Sequence, residues 1–224
     1  MLGRESIDMK TIIFSGFGNF ESGYRANTTE LLAQRLNGTT CEGYRIIGNV
    51  FPCTLSRQGE DRASALLSLA RREGACGIIA TGMSSTEQGF GIETTGRNEY
   101  RNKKYCPPEA LGTHMHELFS CGYVFDVPLT QWRLRCFRDA CKEAGIAARF
   151  SYDAGGFCCE ELIVRMYAAE FPPSLHSLPF IFMHVPCSPE TVLDEETHRK
   201  SGKTTLPLEV LESGIGLLLR TADL

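Results

Sequence analysis

The strongest constraint on the fold is an alternation of short apolar runs with longer amphipathic stretches. The short runs are rich in β-branched residues and end at glycine or proline, whereas the longer stretches place apolar residues on one helical face. The short runs predict strands over residues 11–15, 44–52, 76–82, 122–128, 146–153 and 178–186. The longer stretches predict helices over residues 27–38, 61–74, 130–145, 158–170 and 205–220. This order is typical of βαβ units around a sheet that helices cover on both faces.

Chain length and composition fit one domain. The 224 residues are 42% hydrophobic, which is enough to bury a full core. No internal repeat and no linker rich in proline, glycine and serine divides them. The sequence therefore predicts a single α/β domain that spans residues 1–224.

The charge and the N-terminus argue against two classes of partner. The formal net charge is −4, and no run of lysine and arginine is longer than two residues, so we expect no nucleic-acid partner. The first ten residues are polar, and the apolar run that follows is broken by Gly16. Such a run is too short for a secretory signal or a membrane span. We therefore predict a cytoplasmic protein without a membrane partner.

The ten cysteines do not form a recognisable framework. The chain is neither small nor visibly exported, so most of its cysteines are expected to be reduced thiols that fill apolar space. There is no C-x-x-C pair, and the His114-x-His116 pair has no cysteine or carboxylate cluster beside it. We expect neither a metal site nor a cofactor.

Residues 82–120 stand out as a long segment that is predicted to be irregular, with several glycines and the pair Pro107-Pro108. Connections of this length are usually functional or mobile. Sites in α/β sheets gather at the carboxyl ends of strands, which here are residues 16–20, 82–98, 151–159 and 184–186.

Two adjacent thiols, Cys158 and Cys159, begin a predicted helix directly after a glycine pair. The first turn of a helix favours negative charge and lowers a thiol pKa, and the glycines allow a substrate to approach the backbone amides. The two residues lie about 100° apart on a helix, so only one can face a given target. Spacing alone does not choose between them, and both could also be buried fillers.

A thiol nucleophile needs a base and an acceptor that orients the base. His184 ends an apolar strand at the same sheet edge, although a hydrogen-bonded histidine that closes a strand would fit this position equally well. The other histidines fall in predicted loops or exposed segments: His114, His116, His176 and His198. Several carboxylates could orient the base, and spacing does not rank them: Glu93, Asp153, Glu87, Glu160 and Glu161.

Three segments resemble motifs of the pyroglutamyl peptidase type I family. "SYDAGGFCCEELIVRMY" is similar to the cysteine motif S-x-x-A-G-x-F-x-C, and the match selects Cys159 as the nucleophile. "FIFMHVPCSPE" resembles F-I-H-[VI]-P-x-x-P-E, which makes His184 the base. The segment that starts at Gly82 keeps the family's spacing to Glu93 and Asn98, so Glu93 becomes the orienting acid.

A fourth segment, "SGFGNFESGYRAN", resembles the N-terminal G-F-x-P-F…N-P motif of the family. The resemblance implies that Phe17, Phe20 and Phe157 line the substrate pocket, and that Asn27 hydrogen-bonds the substrate's lactam. The chain departs from the motif, because Asn19 replaces a proline and Thr28 replaces the proline of the N-P pair.

The segment after Gly82 departs further from the family. "MSSTE" replaces Q-A-G-G-R, so Glu87 stands where the family usually has an arginine. Such a change would replace a cation beside the site by an anion. The later segment 99–117 does not reproduce the family's arginine-bearing, aspartate-rich stretch either, and Arg101 or Lys103 could serve in its place.

The resemblance implies a single-domain three-layer α/β/α sandwich with a mixed, mostly parallel central sheet, and a homo-oligomer, a tetramer in many family members. It implies a cysteine peptidase, a hydrolase that removes an N-terminal pyroglutamyl group through a Cys-His-Glu triad and a thioester. The substrate would be a small peptide or amide with an N-terminal lactam. Two alternatives are the same triad acting on another amide or acyl substrate in small-molecule metabolism, and an inactive binding homologue.

Overall fold

The computed structural model describes residues 9–19, 21, 23–55, 61–127, 133–169, 178–222 and 224. The strands are β1 (Lys10–Phe17), β2 (Thr40–Cys41), β3 (Tyr44–Phe51), β4 (Ala75–Met83), β5 (Phe90–Glu93), β6 (Thr95–Arg97), β7 (Val124–Asp126), β8 (Ala148–Ser151) and β9 (Phe180–Val185). The helices are α1 (Thr28–Leu36), α2 (Arg62–Glu73), α3 (Leu134–Glu143), α4 (Cys158–Ala169), α5 (Glu195–Lys200) and α6 (Leu208–Thr221).

The central sheet has seven strands in the order β2-β3-β1-β4-β9-β5-β8. Its pairs are parallel except for β2 with β3 and β5 with β9. The predicted mixed, mostly parallel sheet is therefore confirmed. Strand β9 comes late in the chain but lies between β4 and β5, so residues that are distant in sequence meet in the middle of the sheet.

Helices cover both faces of this sheet, and β1 shows how its sequence divides the core. Ile12 and Phe14 pack on the face that carries α1, α3 and α6, whereas Ile13 packs on the face that carries α2 and α4. Successive strand residues point to opposite faces, so an almost wholly apolar strand is the expected sequence for the middle layer. The result is the predicted three-layer α/β/α sandwich.

The segment 82–120 is not irregular throughout, because it contains β5 and β6. The glycines at 89 and 91 made the sequence around β5 look like a loop. A Cβ at Gly89 would lie 1.9 Å from the carbonyl oxygen of Ala147, so this glycine allows close strand approach and does not mark a loop. The predicted strand at 122–128 also differs, since β7 pairs with β6 in a separate two-stranded ribbon and is not part of the central sheet that the structure describes.

Residues 99–120 contain neither helix nor strand, but they are held to the body of the protein. The fully buried Asn98 donates to the carbonyl oxygens of His116 at 3.0 Å and of Phe119 at 2.8 Å. Its side-chain oxygen accepts from the His116 amide at 2.7 Å. A single amide side chain thus organises the start and the end of this loop.

All ten cysteines are free thiols in the structure. In the part of the chain that the structure describes, no helix is both long and apolar enough to cross a membrane.

Candidate active site

A tight turn leads from β8 into α4 and places Cys159 in the first helical turn. Gly155 and Gly156 both adopt left-handed backbone angles, with φ of +92° and +65°. A Cβ at Gly156 would lie 2.7 Å from the Cβ of Arg101, so the turn also packs too closely for a side chain. Only glycine meets both requirements at low cost.

Glu160 holds this turn from inside the protein. Its carboxylate accepts hydrogen bonds from the backbone amides of Gly156 at 2.7 Å and Arg97 at 2.9 Å, and from the guanidinium of Arg101 at 2.5 Å. Burial raises the pKa of Glu160, and the bonds from Arg97 and Arg101 oppose that rise. Arg101 also pairs with Asp153 at 2.9 Å, which ties the outer side of the same turn.

The sulfur of Cys159 and the ring of His184 share the space above Gly82. Gly82 on β4 is directly paired with His184 on β9. A Cβ at Gly82 would lie 2.8 Å from Cys159 Sγ and 3.1 Å from His184 Nε2. The absence of a side chain at this position therefore lets the thiol approach the Nε2 edge of the imidazole.

The other ring nitrogen of His184 meets Glu93. Nδ1 lies 2.7 Å from Glu93 Oε1, and the two side chains are 11% and 1% exposed. Glu93 Oε2 has no hydrogen-bond partner among the described residues. The structure thus brings together the predicted nucleophile, base and orienting acid in the order Cys159, His184, Glu93.

Each of the other carboxylates that could have oriented the base lies next to an arginine. Asp153 and Glu160 pair with Arg101. The remaining two pairs are Glu161 with Arg62 at 2.6 Å, and Glu87 with Arg149. In the structure, Glu93 is the predicted acceptor that contacts His184.

The two adjacent thiols have different surroundings. Cys158, the first residue of α4, is 1% exposed and packs into the core on the sheet face that α2 and α4 cover. Burial, together with contact with Cys159, raises the pKa of Cys158 well above its usual value. Cys158 is therefore held in its protonated form at neutral pH.

A cavity of about 390 Å³ opens over Cys159 and His184. Phe17, Cys53, Met83 and Phe157 line its apolar part. The ring of Phe17 packs against that of Phe182 with centroids 6.4 Å apart. Two of the three predicted pocket phenylalanines thus line the cavity, and the third, Phe20, lies outside the described residues, as does His176.

Asn27 lines the cavity and also caps α1. Its side-chain oxygen accepts from the amide of Thr29 at 3.0 Å and from the Thr29 hydroxyl at 2.9 Å, while Nδ2 donates to Gly18 at 3.3 Å. Capping explains why an asparagine stands at this position. Its predicted contact with the lactam stays a prediction.

Sequence reasoning missed one cation of the cavity wall, Arg149, which pairs with Glu87. Arg149 Nε lies 3.1 Å from one carboxylate oxygen of Glu87, and Nη2 donates to the other. Both residues line the cavity. Arg101 is instead bound to the turn before Cys159, and Lys103 is exposed and not part of the cavity wall.

The described residues contain no group of three or more histidine, cysteine, aspartate or glutamate side chains arranged to hold a metal ion.

Comparisons with known proteins point to one family. A family model described as pyroglutamyl peptidase matches residues 120–221. The pyrrolidone-carboxylate peptidase of Coprothermobacter proteolyticus is 24% identical over 214 residues, covering 92% of this chain and 94% of the relative. That of Pseudomonas fluorescens is 24% identical over 218 residues, covering 96% and 93%.

Solved structures agree on the fold. The pyrrolidone carboxyl peptidase from Thermococcus litoralis matches with a TM-score of 0.77 at 20% identity, covering 96% of this chain and 93% of that one. The pyroglutamyl peptidase I from Bacillus amyloliquefaciens matches with a TM-score of 0.76 at 21% identity, covering 95% and 94%. The family model, the curated relatives and the shared sandwich fold together support assignment of the chain to the pyroglutamyl peptidase family.

Proposed function

We propose that this protein is a cysteine peptidase that removes an N-terminal pyroglutamyl group from peptides, with Cys159 as nucleophile, His184 as base and Glu93 as orienting acid. The observation that carries the proposal is the placement of the Cys159 sulfur and the His184 ring over Gly82, with Glu93 on the far ring nitrogen. The names of the curated relatives support the choice of substrate.

The geometry supports a two-step reaction. His184 takes the thiol proton, and the sulfur attacks the carbonyl carbon that joins the lactam to the next residue. Backbone amides at the start of α4 face the developing oxyanion, and His184 then gives its proton to the leaving amine. Glu93 holds the charged imidazole during this step. Water then cleaves the thioester and releases pyroglutamate.

The order of strands separates the two ends of the cavity. Phe17 ends β1 and Cys53 follows β3, so the apolar end lies on the side of β4 away from β9. A flat, uncharged lactam suits apolar walls with few polar groups. We therefore place the acyl part of the substrate at this end, against Phe17 and Phe157, with Asn27 as a further predicted contact.

Two properties of the protein remain predictions from the sequence. These are assembly as a homo-oligomer, which analytical ultracentrifugation tests, and a cytoplasmic location, which cell fractionation tests.

The deciding experiment uses a pyroglutamyl amide with a fluorescent aminocoumarin leaving group. Wild type and Cys158→Ser should release the dye, whereas Cys159→Ser should not. If wild type releases nothing but iodoacetamide labels Cys159 selectively at neutral pH, the triad acts on a different amide or acyl substrate. If Cys159 reacts no faster than the exposed Cys136, the catalytic proposal is wrong.

A further inference from the structure

Four residues form one row across the middle of the sheet. Gly82 on β4 pairs with His184 on β9, His184 pairs with Gly91 on β5, and Gly91 pairs with Arg149 on β8. Directly paired residues point to the same face of a sheet. The imidazole of His184 and the side chain of Arg149 therefore stand on one face, with a glycine beside each.

The two glycines are covered by different groups. Cys159 Sγ occupies the space above Gly82, where a Cβ would lie 2.8 Å from it. The Glu87 carboxylate occupies the space above Gly91, where a Cβ would lie 2.9 Å from its carbon. The order along the row is thus thiol, imidazole, carboxylate, guanidinium. Neighbouring strands are about 4.8 Å apart, so the thiol and the Glu87 carboxylate are separated by roughly 10 Å.

This order of groups determines which way a substrate lies in the cavity. The apolar end, where the acyl group is placed, lies on one side of the thiol, and the imidazole lies on the other. Because His184 must reach the leaving amine, the leaving group lies over the imidazole. The next groups along the row, and hence the next that a leaving group meets, are Glu87 and Arg149.

Arg149 is prepared to bind an anion at this point. Glu87 is 7% exposed and engages Nε and Nη2 of Arg149, so the guanidinium is fixed in place before a substrate arrives. The pair with Glu87 does not use Nη1, and the Arg149 side chain is 60% exposed. A planar guanidinium that is already oriented is a suitable partner for a carboxylate.

We propose that Arg149, positioned by Glu87, binds a carboxylate on the leaving group, and that the substrates are pyroglutamyl amino acids with a free carboxyl terminus. This inference rests on the proposed function. An extended residue spans about 3.5 Å, so the carboxylate of a one-residue leaving group lies roughly 7 Å from the sulfur. This carboxylate comes to the edge of the Glu87–Arg149 pair, where the guanidinium that is turned towards Glu87 is the group able to donate a hydrogen bond to it.

The test compares pyroglutamyl-alanine with its carboxyl-terminal amide, which differs only in lacking the carboxylate charge. Wild type should show a kcat/KM for the free acid about tenfold or more above that for the amide. Because Arg149→Gln leaves Glu87 buried and unpaired, the double variant Glu87→Gln/Arg149→Gln is measured beside it. In both variants the preference for the free acid should fall to near one.

Arg138→Gln is the matched control, since it removes the same charge from a residue that stacks on Phe150 of β8, outside the cavity. It should leave the preference unchanged. Equal rates for acid and amide in wild type, or a preference that survives in the double variant, would overturn the inference while hydrolysis of the coumarin amide still supports the proposed function. If wild type cleaves none of the three compounds, the proposed function fails and this inference fails with it.

Discussion

The sulfur of Cys159 lies where a side chain on residue 82 would have to be, since a Cβ at Gly82 would lie 2.8 Å from it. Gly82→Ala should therefore displace the thiol or the His184 ring and lower turnover by at least about 100-fold, as small displacements of reacting groups do. Steady-state hydrolysis of the coumarin amide measures the loss. Gly216→Ala on α6, where a Cβ would meet its nearest atom at 3.5 Å, is the control and should retain full activity.

The contact between Glu93 and His184 predicts the effect of Glu93→Gln. The variant keeps the shape of the side chain but loses the charge that holds the imidazolium, so kcat/KM should fall by roughly 10²–10⁴. Glu190→Gln, at an exposed position, controls for the change of residue type. A Glu93→Gln variant that keeps more than half of the wild-type kcat/KM would show that Glu93 does not orient the base.

The buried thiol of Cys158 predicts a loss of stability at alkaline pH. Its pKa in the folded state is raised above 9.0, so between that value and the folded pKa the folded chain binds more protons than the unfolded chain. The Cys158 contribution is therefore complete below about pH 9 and falls as pH rises, by up to about 1.4 kcal/mol per pH unit.

Urea unfolding of wild type and Cys158→Ala at pH 7 and pH 10 measures this effect. At pH 7 the variant should be less stable by about 1 kcal/mol, because a small cavity replaces the sulfur. At pH 10 the difference should shrink or reverse. Cys136→Ala, which removes an exposed thiol, is the control, and a difference that is the same at both pH values contradicts the prediction.

Arg101 and Lys103 should behave differently although both carry one positive charge. Arg101→Gln leaves the buried Glu160 with only its two backbone donors, so the free energy of unfolding should fall by about 1.5–3 kcal/mol. Turnover should also fall, because Glu160 and Arg101 hold the turn before Cys159. Lys103→Gln, at an exposed position, should change neither quantity, and equal effects of both substitutions would argue against a positioning role of Arg101.

The elements that sequence reasoning predicted correctly are those with a long, regular pattern. β1 and β4 are continuous apolar runs, and α2 carries a regular apolar face between Asp61 and Gly74, which cap its ends. β5 has only Phe90 and Ile92 as apolar residues. The glycine between them, Gly91, leaves room for the Glu87 carboxylate and does not form a turn. Such a requirement comes from a neighbour in space, so the local pattern did not contain it.

The candidate site divides in the same way. Position at the edge of the sheet indicated the thiol pair and His184. The choice of Cys159 over Cys158, and of Glu93 among five carboxylates, depended on the family resemblance. Arg149 was missed because it is brought to the site by strand pairing: Arg149 pairs with Gly91, and Gly91 pairs with His184. The sequence of one strand does not reveal which residues of neighbouring strands lie beside it.

Because β9 comes late in the chain, two residues of the candidate site are synthesised at different times. Cys159 leaves the ribosome before His184, and β9 must then enter between β4 and β5, which were made earlier. A growing chain therefore carries the thiol without its base until almost the whole sheet exists. The proposed hydrolytic activity needs β9 in place, so its recovery after denaturation would report the insertion of β9 between β4 and β5.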